Sequence, residues 1–379
     1  MLNGVVVSVA SFARILAEMG HTVTIFTASH PDQHGQEAGV YHFPSVMWPS
    51  RARYPLAIPI APGDARALLQ PQQFDLIHSN SLMLMGYVAN IYHRRWHIPL
   101  VFTYHTLLEE YTHYIPLPQA LMRHRAIDIS RHYSNTADHV ITPATHVAEL
   151  LRRYHVTSPI TVIPTGIDLD VIDAIPAGNF REHHDIPCAS PLLVYVGRLA
   201  REKNIARLLS AFQLILRQEP DTYLLLLGGG PLETEIRAMV GELHIEQRVR
   251  MTGYLPREEV LQGLHSADIF VFPSKTETQG LVMGEAMACN LPVVAVSSEA
   301  AREIITEQCE GLLTPDDDMQ FADAIVTLIR HAPLRLHMGR QARLRAEGLS
   351  ARCCTERLIS VYRQVLEGRT SSVKAKESA

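Results

Sequence analysis

Lysine is nearly absent. Of 34 basic residues in a chain of 379, only Lys203, Lys275, Lys374 and Lys376 are lysine, and arginine supplies the rest. The basic total does not exceed the acidic one, and the formal net charge is -5. A general nucleic-acid binder carries a basic excess, so no nucleic-acid partner is expected. Cysteine is scarce as well. Residues Cys188, Cys289, Cys309, Cys353 and Cys354 are odd in number and have no metal-ligand spacing. That excludes a disulfide scaffold and predicts reduced, cytosolic thiols, with Cys353-Cys354 an accident of a helix face. No apolar run approaches the length of a membrane span. The N-terminus lacks the charged region and apolar block of a signal peptide. The chain is therefore expected in the cytoplasm, or peripheral on the cytosolic face of a membrane.

A chain of this length is too long for one ordinary core and predicts two domains. Short β-branched runs alternate with segments of helical period. In the first half the expected strands are Thr22–Thr27, Leu76–Ser79, Leu100–Tyr104, His139–Thr142 and Thr161–Ile163. In the second half they are Leu192–Val196, Tyr223–Leu227, Val249–Thr252, Ile269–Phe272, Pro292–Val296 and Gly311–Leu313. Val/Leu/Ile-rich strands with helices between them imply parallel sheets covered on both faces. The pattern occurs twice, so the fold class is α/β with two doubly wound, Rossmann-like domains, expected to face one another across a cleft. The predicted limits are 1–168, joined by a crossover helix at 351–367, then 169–350, with a disordered tail at 368–379. The N-terminus is unusual. Val5, Val9, Phe12, Leu16 and Met19 have helical spacing, and Gly20 is a good stop. Only Met1-Leu2-Asn3 precede Gly4, so the first strand expected of such a domain is missing, or the start lies upstream.

Four stretches carry candidate chemistry. Pro273–Ala288 places Glu277 in the loop after a buried strand and Glu285 eight positions on, within a helix opened by Gly280-Leu281. A helix N-terminus offers unpaired N–H groups and partial positive charge. A carboxylate beside it can accept sugar hydroxyls, and Glu285 can take a vicinal diol such as a ribose edge. Alone, the pair is better read as an N-terminal-turn glutamate and a partly exposed helical one; the neighbouring stretches change that balance. The second stretch, Val196–Asn204, puts Gly197, Arg198 and Lys203 on a loop and helix start, where two cations would meet a diphosphate; an exposed basic turn paired with Glu202 is the other reading. The third, Gly228-Gly229-Gly230, permits close approach of backbone to a ligand, as well as a tight turn. The fourth is the turn Gly253-Tyr254-Leu255-Pro256.

In this order, the combination resembles the retaining glycosyltransferases of family 4, which have the GT-B fold. The resemblance runs from Asn3-Gly4-Val5-Val6 to the last helix. It implies a nucleoside-diphosphate-sugar donor on the second domain, expected to be UDP-glucose. Arg198 and Lys203 would hold the diphosphate and Glu285 the ribose. Glu277, with the backbone at Gln279, Gly280 and Leu281, would hold the hexose, and the Tyr254-Leu255 backbone would meet the base. Gly4 would approach the donor phosphate or the acceptor. The sequence departs from the family at Ser297–Glu303, where two glycines and a proline before the glutamate are absent.

Tyr104–Tyr114 resembles the H-T-x-Y-E-x-Y-x-H-Y segment of bacterial diacylglycerol glucosyltransferases, with Leu108 in place of the first tyrosine. His105 would lie against the donor sugar near the reacting centre. Glu109, Tyr111, His113 and Tyr114 would lie on the acceptor side. Arg51, Arg53 and Tyr54, ahead of an apolar run to Ile60, and Arg123 and Arg125, in the mixed stretch Leu117–Arg131, suit an anionic membrane surface. Each also fits an ordinary loop or solvated helix.

The resemblance implies transfer with retained configuration by front-face substitution, with no cofactor and no metal. Asp316-Asp317-Asp318 could suggest a metal site, but its place before a helical segment predicts an N-terminal acidic turn. Two other readings remain open: the same chemistry on phosphatidylinositol or a soluble acceptor, and an inactive remnant that only binds sugar nucleotides.

Overall fold

The computed structural model describes residues 4–29, 38–47, 55–58, 70, 73–82, 84–105, 107–109 and 119–377. The chain divides into two compact units. Unit 1 comprises Met1–Gly166 and Ala351–Ala379, and unit 2 comprises Ile167–Ser350.

Unit 2 is built on strands β9 (Leu192–Val196), β10 (Tyr223–Leu227), β11 (Val249–Gly253), β12 (Ile269–Phe272), β13 (Val293–Val296) and β14 (Gly311–Thr314). They form one parallel sheet in the order β11-β10-β9-β12-β13-β14. Every residue of β9, β10, β12 and β13 is buried, as expected of parallel strands with helices on both faces. The helices are α5 (Leu169–Asp173), α6 (Phe180–His183), α7 (Ile205–Gln218), α8 (Glu233–Glu242), α9 (Arg257–His265), α10 (Leu281–Ala288), α11 (Glu299–Ile304), α12 (Asp318–Arg330) and α13 (Ala332–Glu347). Leu208, Leu209, Phe212 and Ile215 line the buried stripe of α7, at the i, i+3, i+4 spacing of a helix packed on a sheet. Each such side chain taken from water contributes about 1.5–3 kcal/mol. The strand order runs outward from β9 in one direction and resumes at β12 in the other, so the switch point lies between these two strands.

Unit 1 holds β1 (Ile25–Ala28), β2 (Val40–Phe43), β3 (Ser45–Met47), β4 (Pro55–Ala57), β5 (Ile77–Ser79), β6 (Leu100–Thr103), β7 (His139–Thr142) and β8 (Ile160–Val162). It also contains α1 (Gly4–Glu18), α2 (Leu84–Trp96), α3 (Gln119–Ser134), α4 (Thr145–Arg153) and α14 (Ala351–Glu377). β5-β6-β7-β8 form a parallel sheet, while β1-β2 pair separately in parallel and β3-β4 antiparallel. Among the described residues no strand precedes α1 and none joins β1-β2 to β5. Helix α2 packs against both groups, and Val88 lies with Phe43, Phe26 and Ala28 in one apolar cluster.

Most expected strands are present within a residue or three of their limits. Strands β2, β3 and β4 were not anticipated, because three or four residues carry too little periodicity to register. Pro55–Ala57, within the apolar run that ends at Ile60, pairs with β3. The last helix also differs from expectation. It continues to Glu377, past the expected limit at residue 367. That segment has no proline, and extending an existing helix avoids the nucleation cost.

Helix α14 returns to unit 1. Cys354, Leu358, Val361 and Val365 pack with Val101, Ile141, Ile163 and Phe12, and α1 packs on the same helix. A polar contact fixes the docking. Half-buried His78 sits between Tyr362 Oη, 2.6 Å from Nδ1, and Thr103 Oγ1, 2.6 Å from Nε2. Tyr362→Phe keeps the ring and strands Nδ1, so unit 1 should lose about 1–3 kcal/mol, read as a lower urea midpoint with an unchanged m value.

Candidate active site

The switch point fixes which loops converge in unit 2. Gly197 and Arg198 follow β9, and a 3-10 turn at Arg201–Lys203 leads through Asn204 (φ 56°) into α7. Arg198 Nη2 lies 2.5 Å from Glu202 Oε1. Burial works against ionising Glu202, but Arg198 outweighs it and holds the carboxyl below its ordinary range. Lys203 Nζ reaches across to Glu277 Oε1, in the loop after β12. Ser274 Oγ donates to the same oxygen at 2.8 Å. The Glu202 carbonyl lies 3.3 Å from Ser274 Oγ and 3.4 Å from Thr276 Oγ1. The two loops are thus stitched together through both backbone and side chains.

Gln279 and Gly280 lead into α10, which starts at Leu281. Gly280 has φ +70°, and a Cβ there would come within 2.4 Å of Met283 Cε, so the sharp entry needs glycine. Gly280, the N-cap of α10, has no side chain to cap it, and a helix N-terminus presents N–H groups that suit an anion or polar ligand. Glu285 is buried at 4 % exposure, and Arg257 Nη2 lies 2.6 Å from its Oε1. The glycine loop is dictated by packing. A Cβ on Gly228 would sit 2.1 Å from the Gly197 carbonyl oxygen, and one on Gly230 would sit 2.3 Å from that of Leu199. Gly229 lies beneath the ring of Tyr254, 2.8 Å from its nearest carbon to an added Cβ. Tyr254 is 60 % exposed and Leu255 is half-buried.

In unit 1, His105 follows β6, and its Nε2 lies 2.8 Å from Asn80 Oδ1. That contact makes Nε2 the protonated nitrogen and Nδ1 the acceptor. Burial pushes His105 down to about 4; burial and then His105 push His78 down to about 3. Both are neutral at pH 7. Glu109, expected on the acceptor side, is buried and takes a hydrogen bond from Tyr154 Oη. Helix α3 exposes Arg123 and Arg125. Its apolar residues divide: Ile127 packs inward, while Leu121 and Ile129 face outward on either side of Arg125. Gly4 begins α1. Arg51, Arg53, Tyr54, Tyr111, His113 and Tyr114 lie outside the described residues.

The acidic run has a structural role. Asp317 caps α12, accepting from Gln320 N at 2.9 Å. Asp316 pairs with Arg207 Nε at 2.5 Å and with Lys275, and Asp318 pairs with Arg207 Nη1 at 2.6 Å. Among the described residues no three His, Cys, Asp or Glu side chains gather as a metal site.

Residues 2–171 match the family described as Glycosyltransferase Family 4, and residues 177–345 match Glycosyl transferases group 1. An alpha-monoglucosyldiacylglycerol synthase of Streptococcus pneumoniae is 30 % identical over 82 % of this chain and 72 % of that one. The chain belongs to glycosyltransferase family 4. A second member, a D-inositol 3-phosphate glycosyltransferase of Corynebacterium urealyticum, is 28 % identical over 96 % of this chain and 91 % of its own. The fold is shared with a sucrose-phosphate synthase of Thermosynechococcus elongatus: TM-score 0.79 at 24 % identity, covering 97 % and 94 % of the two chains. No described helix of this family 4 glycosyltransferase is long and apolar enough to cross a membrane.

The structure therefore brings Arg198, Lys203 and Glu277 together at the β9/β12 switch point, and ties Glu285 to α9. Sequence reasoning missed Arg257, Ser274 and Asn80. Only the position of Arg257, just after the Gly253–Pro256 turn, could have flagged any of them. The neutral histidines have a measurable consequence. An unfolded histidine takes up its proton near pH 6.5, whereas folded His78 and His105 do so near 3 and 4. Between those values the unfolded chain binds more protons, so unit 1 loses stability as pH falls below 6.5, by up to about 1.4 kcal/mol per pH unit for each histidine. Urea denaturation at pH 7, 6 and 5 should show this decline, and His78→Asn should make it shallower.

Proposed function

We propose that this glycosyltransferase is a retaining enzyme that transfers glucose from UDP-glucose to diacylglycerol, peripherally on the cytosolic face of an anionic membrane. The observation that carries the reading is the pairing of Lys203 with Glu277 beside Arg198, at the carboxyl ends of β9 and β12. Two cations there suit a diphosphate, and the carboxylate beside them suits hexose hydroxyls. The backbone at Gln279, Gly280 and Leu281, at the start of α10, suits the same donor. The Tyr254-Leu255 turn is assigned to the base and Glu285 to the ribose. His105 is assigned to the donor sugar near the reacting centre, where a neutral imidazole would hydrogen-bond a hexose hydroxyl. The acceptor is taken from the pneumococcal relative, a monoglucosyldiacylglycerol synthase by name. The exposed Leu121, Arg125 and Ile129 of α3 suit an anionic lipid surface.

In this mechanism the acceptor hydroxyl attacks the anomeric carbon from the side the diphosphate leaves. The new C–O bond forms as the bond to the phosphate oxygen breaks, and that oxygen takes the hydroxyl proton. Arg198 and Lys203 stabilise the charge growing on the leaving group, an effect worth about 3–4 kcal/mol for a well-placed donor. They serve the purpose a metal ion serves elsewhere, so the reading calls for none.

A second reading keeps the donor and changes the acceptor to a soluble inositol phosphate. It is favoured by the actinobacterial relative, which aligns over 96 % of this chain. The test is transfer of label from UDP-glucose with diacylglycerol in anionic vesicles, and in parallel with inositol 3-phosphate. Label in a lipid band is expected; label only in the water-soluble product moves the assignment to the second reading. Arg198→Ala should lower turnover by about 100-fold or more while vesicle binding holds. Equal loss of both would remove Arg198 from the chemistry.

A further inference from the structure

We propose that Arg257 is the positioning residue for Glu285: it orients the carboxylate that takes the ribose diol and couples it to the turn assigned to the base. The inference rests on the donor reading above and extends it to a residue that neither motif contains.

Glu285 lies between Met283, Ala286 and Met287, all fully buried, and is itself 4 % exposed. A carboxylate in such a place is costly unless a cation and hydrogen bonds meet it. Arg257 provides both, with Nη2 at 2.6 Å from Oε1. Its own burial opposes the charge, and Glu285 more than offsets that, so the guanidinium stays charged more firmly than an ordinary arginine. Cys289, which follows α10, has its thiol pushed up to about 12 by burial and then Glu285, Asp168 caps α5, and Arg343, at the far end of α10, is paired with Asp173. A carboxylate offers about four lone-pair positions, so one arginine contact leaves acceptor capacity for two hydroxyls and fixes the direction in which it points.

The place of Arg257 in the chain gives the contact its second role. It is the first residue of α9, immediately after Gly253-Tyr254-Leu255-Pro256. The ring of Tyr254 is held over Gly229, so the turn is packed at its start and anchored through Arg257 at its end. Base and ribose would then be read by two segments, from β11 and from β12, that move as one.

The competing view is a structural ion pair that merely joins α9 to α10. Calorimetry separates the two, using UDP and 2′,3′-dideoxy-UDP with the wild type, Arg257→Gln and Arg257→Lys. The wild type should prefer UDP by about tenfold or more, the cost of lost hydrogen bonds to a charged group. In Arg257→Gln the ratio should fall to within about threefold, with KM for UDP-glucose raised and kcat within about twofold, the pattern of lost uniform binding. Arg257→Lys should restore most of the preference, since a single nitrogen–oxygen contact is at stake. Should Arg257→Gln not fold, the wild type still decides: its Arg257 Nε–H resonance should move on adding UDP and stay in place with the dideoxy nucleotide. A wild-type ratio retained in Arg257→Gln, or equal movement with both nucleotides, overturns the inference and leaves the donor reading intact. A wild type that does not bind UDP overturns both.

Discussion

The ion pair between Lys203 and Glu277 spans the place where the strand order of unit 2 reverses. Parallel strands on either side of that point send their following loops in opposite directions, which opens a gap above the sheet edge. Lys203 closes part of the gap from the β9 side and Glu277 from the β12 side. Ser274 and Thr276 add contacts to the Glu202 carbonyl, so the position of one loop depends on the other. The fully buried strands β9, β10, β12 and β13 beneath make this possible, because a charge pair can only be held to a fraction of an ångström by a scaffold that does not yield.

Charge balance recurs throughout the site. Arg198 meets Glu202, Lys203 meets Glu277 and Arg257 meets Glu285. None of these side chains is fully exposed, and each pair sits near the carboxyl ends of the strands. Such pairs add little to net stability, because desolvation offsets most of the attraction. Their value is in geometry: a partly buried carboxylate with one fixed partner has one orientation. A ligand with its own negative charges and hydroxyls can then exchange partners with groups already in place, without ordering flexible side chains first.

Unit 1 solves a different problem. Two of its half-buried histidines are kept neutral and hydrogen-bonded, His78 between Tyr362 and Thr103, and His105 against Asn80. A neutral imidazole with a fixed tautomer offers one donor and one acceptor in known directions. The same network ties α14 to the sheet, so the long final helix and the residue after β6 share a common support. Glu109 belongs to this interior as well, through Tyr154, which places a carboxylate expected to face an acceptor among the groups that hold the unit together.

The sequence by itself determined the alternation of strands and helices, both doubly wound patterns, the placement of Arg198, Lys203 and Glu277 just after strands and that of Glu285 on a helix. Each of these rests on local information: apolar runs long enough to show a period, glycines at turns, and charged residues placed just after strands. It did not determine strands β2, β3 and β4, whose three or four residues hold no readable period and exist only because a neighbouring strand supplies their hydrogen bonds. It gave no sign that Arg257 would meet Glu285, that Asn80 would set the tautomer of His105, or that Glu109 would be buried. Those partners are 25 or more positions apart. Only the packing of one element against another brings them within hydrogen-bond distance and decides which charges face a neighbour and which face water.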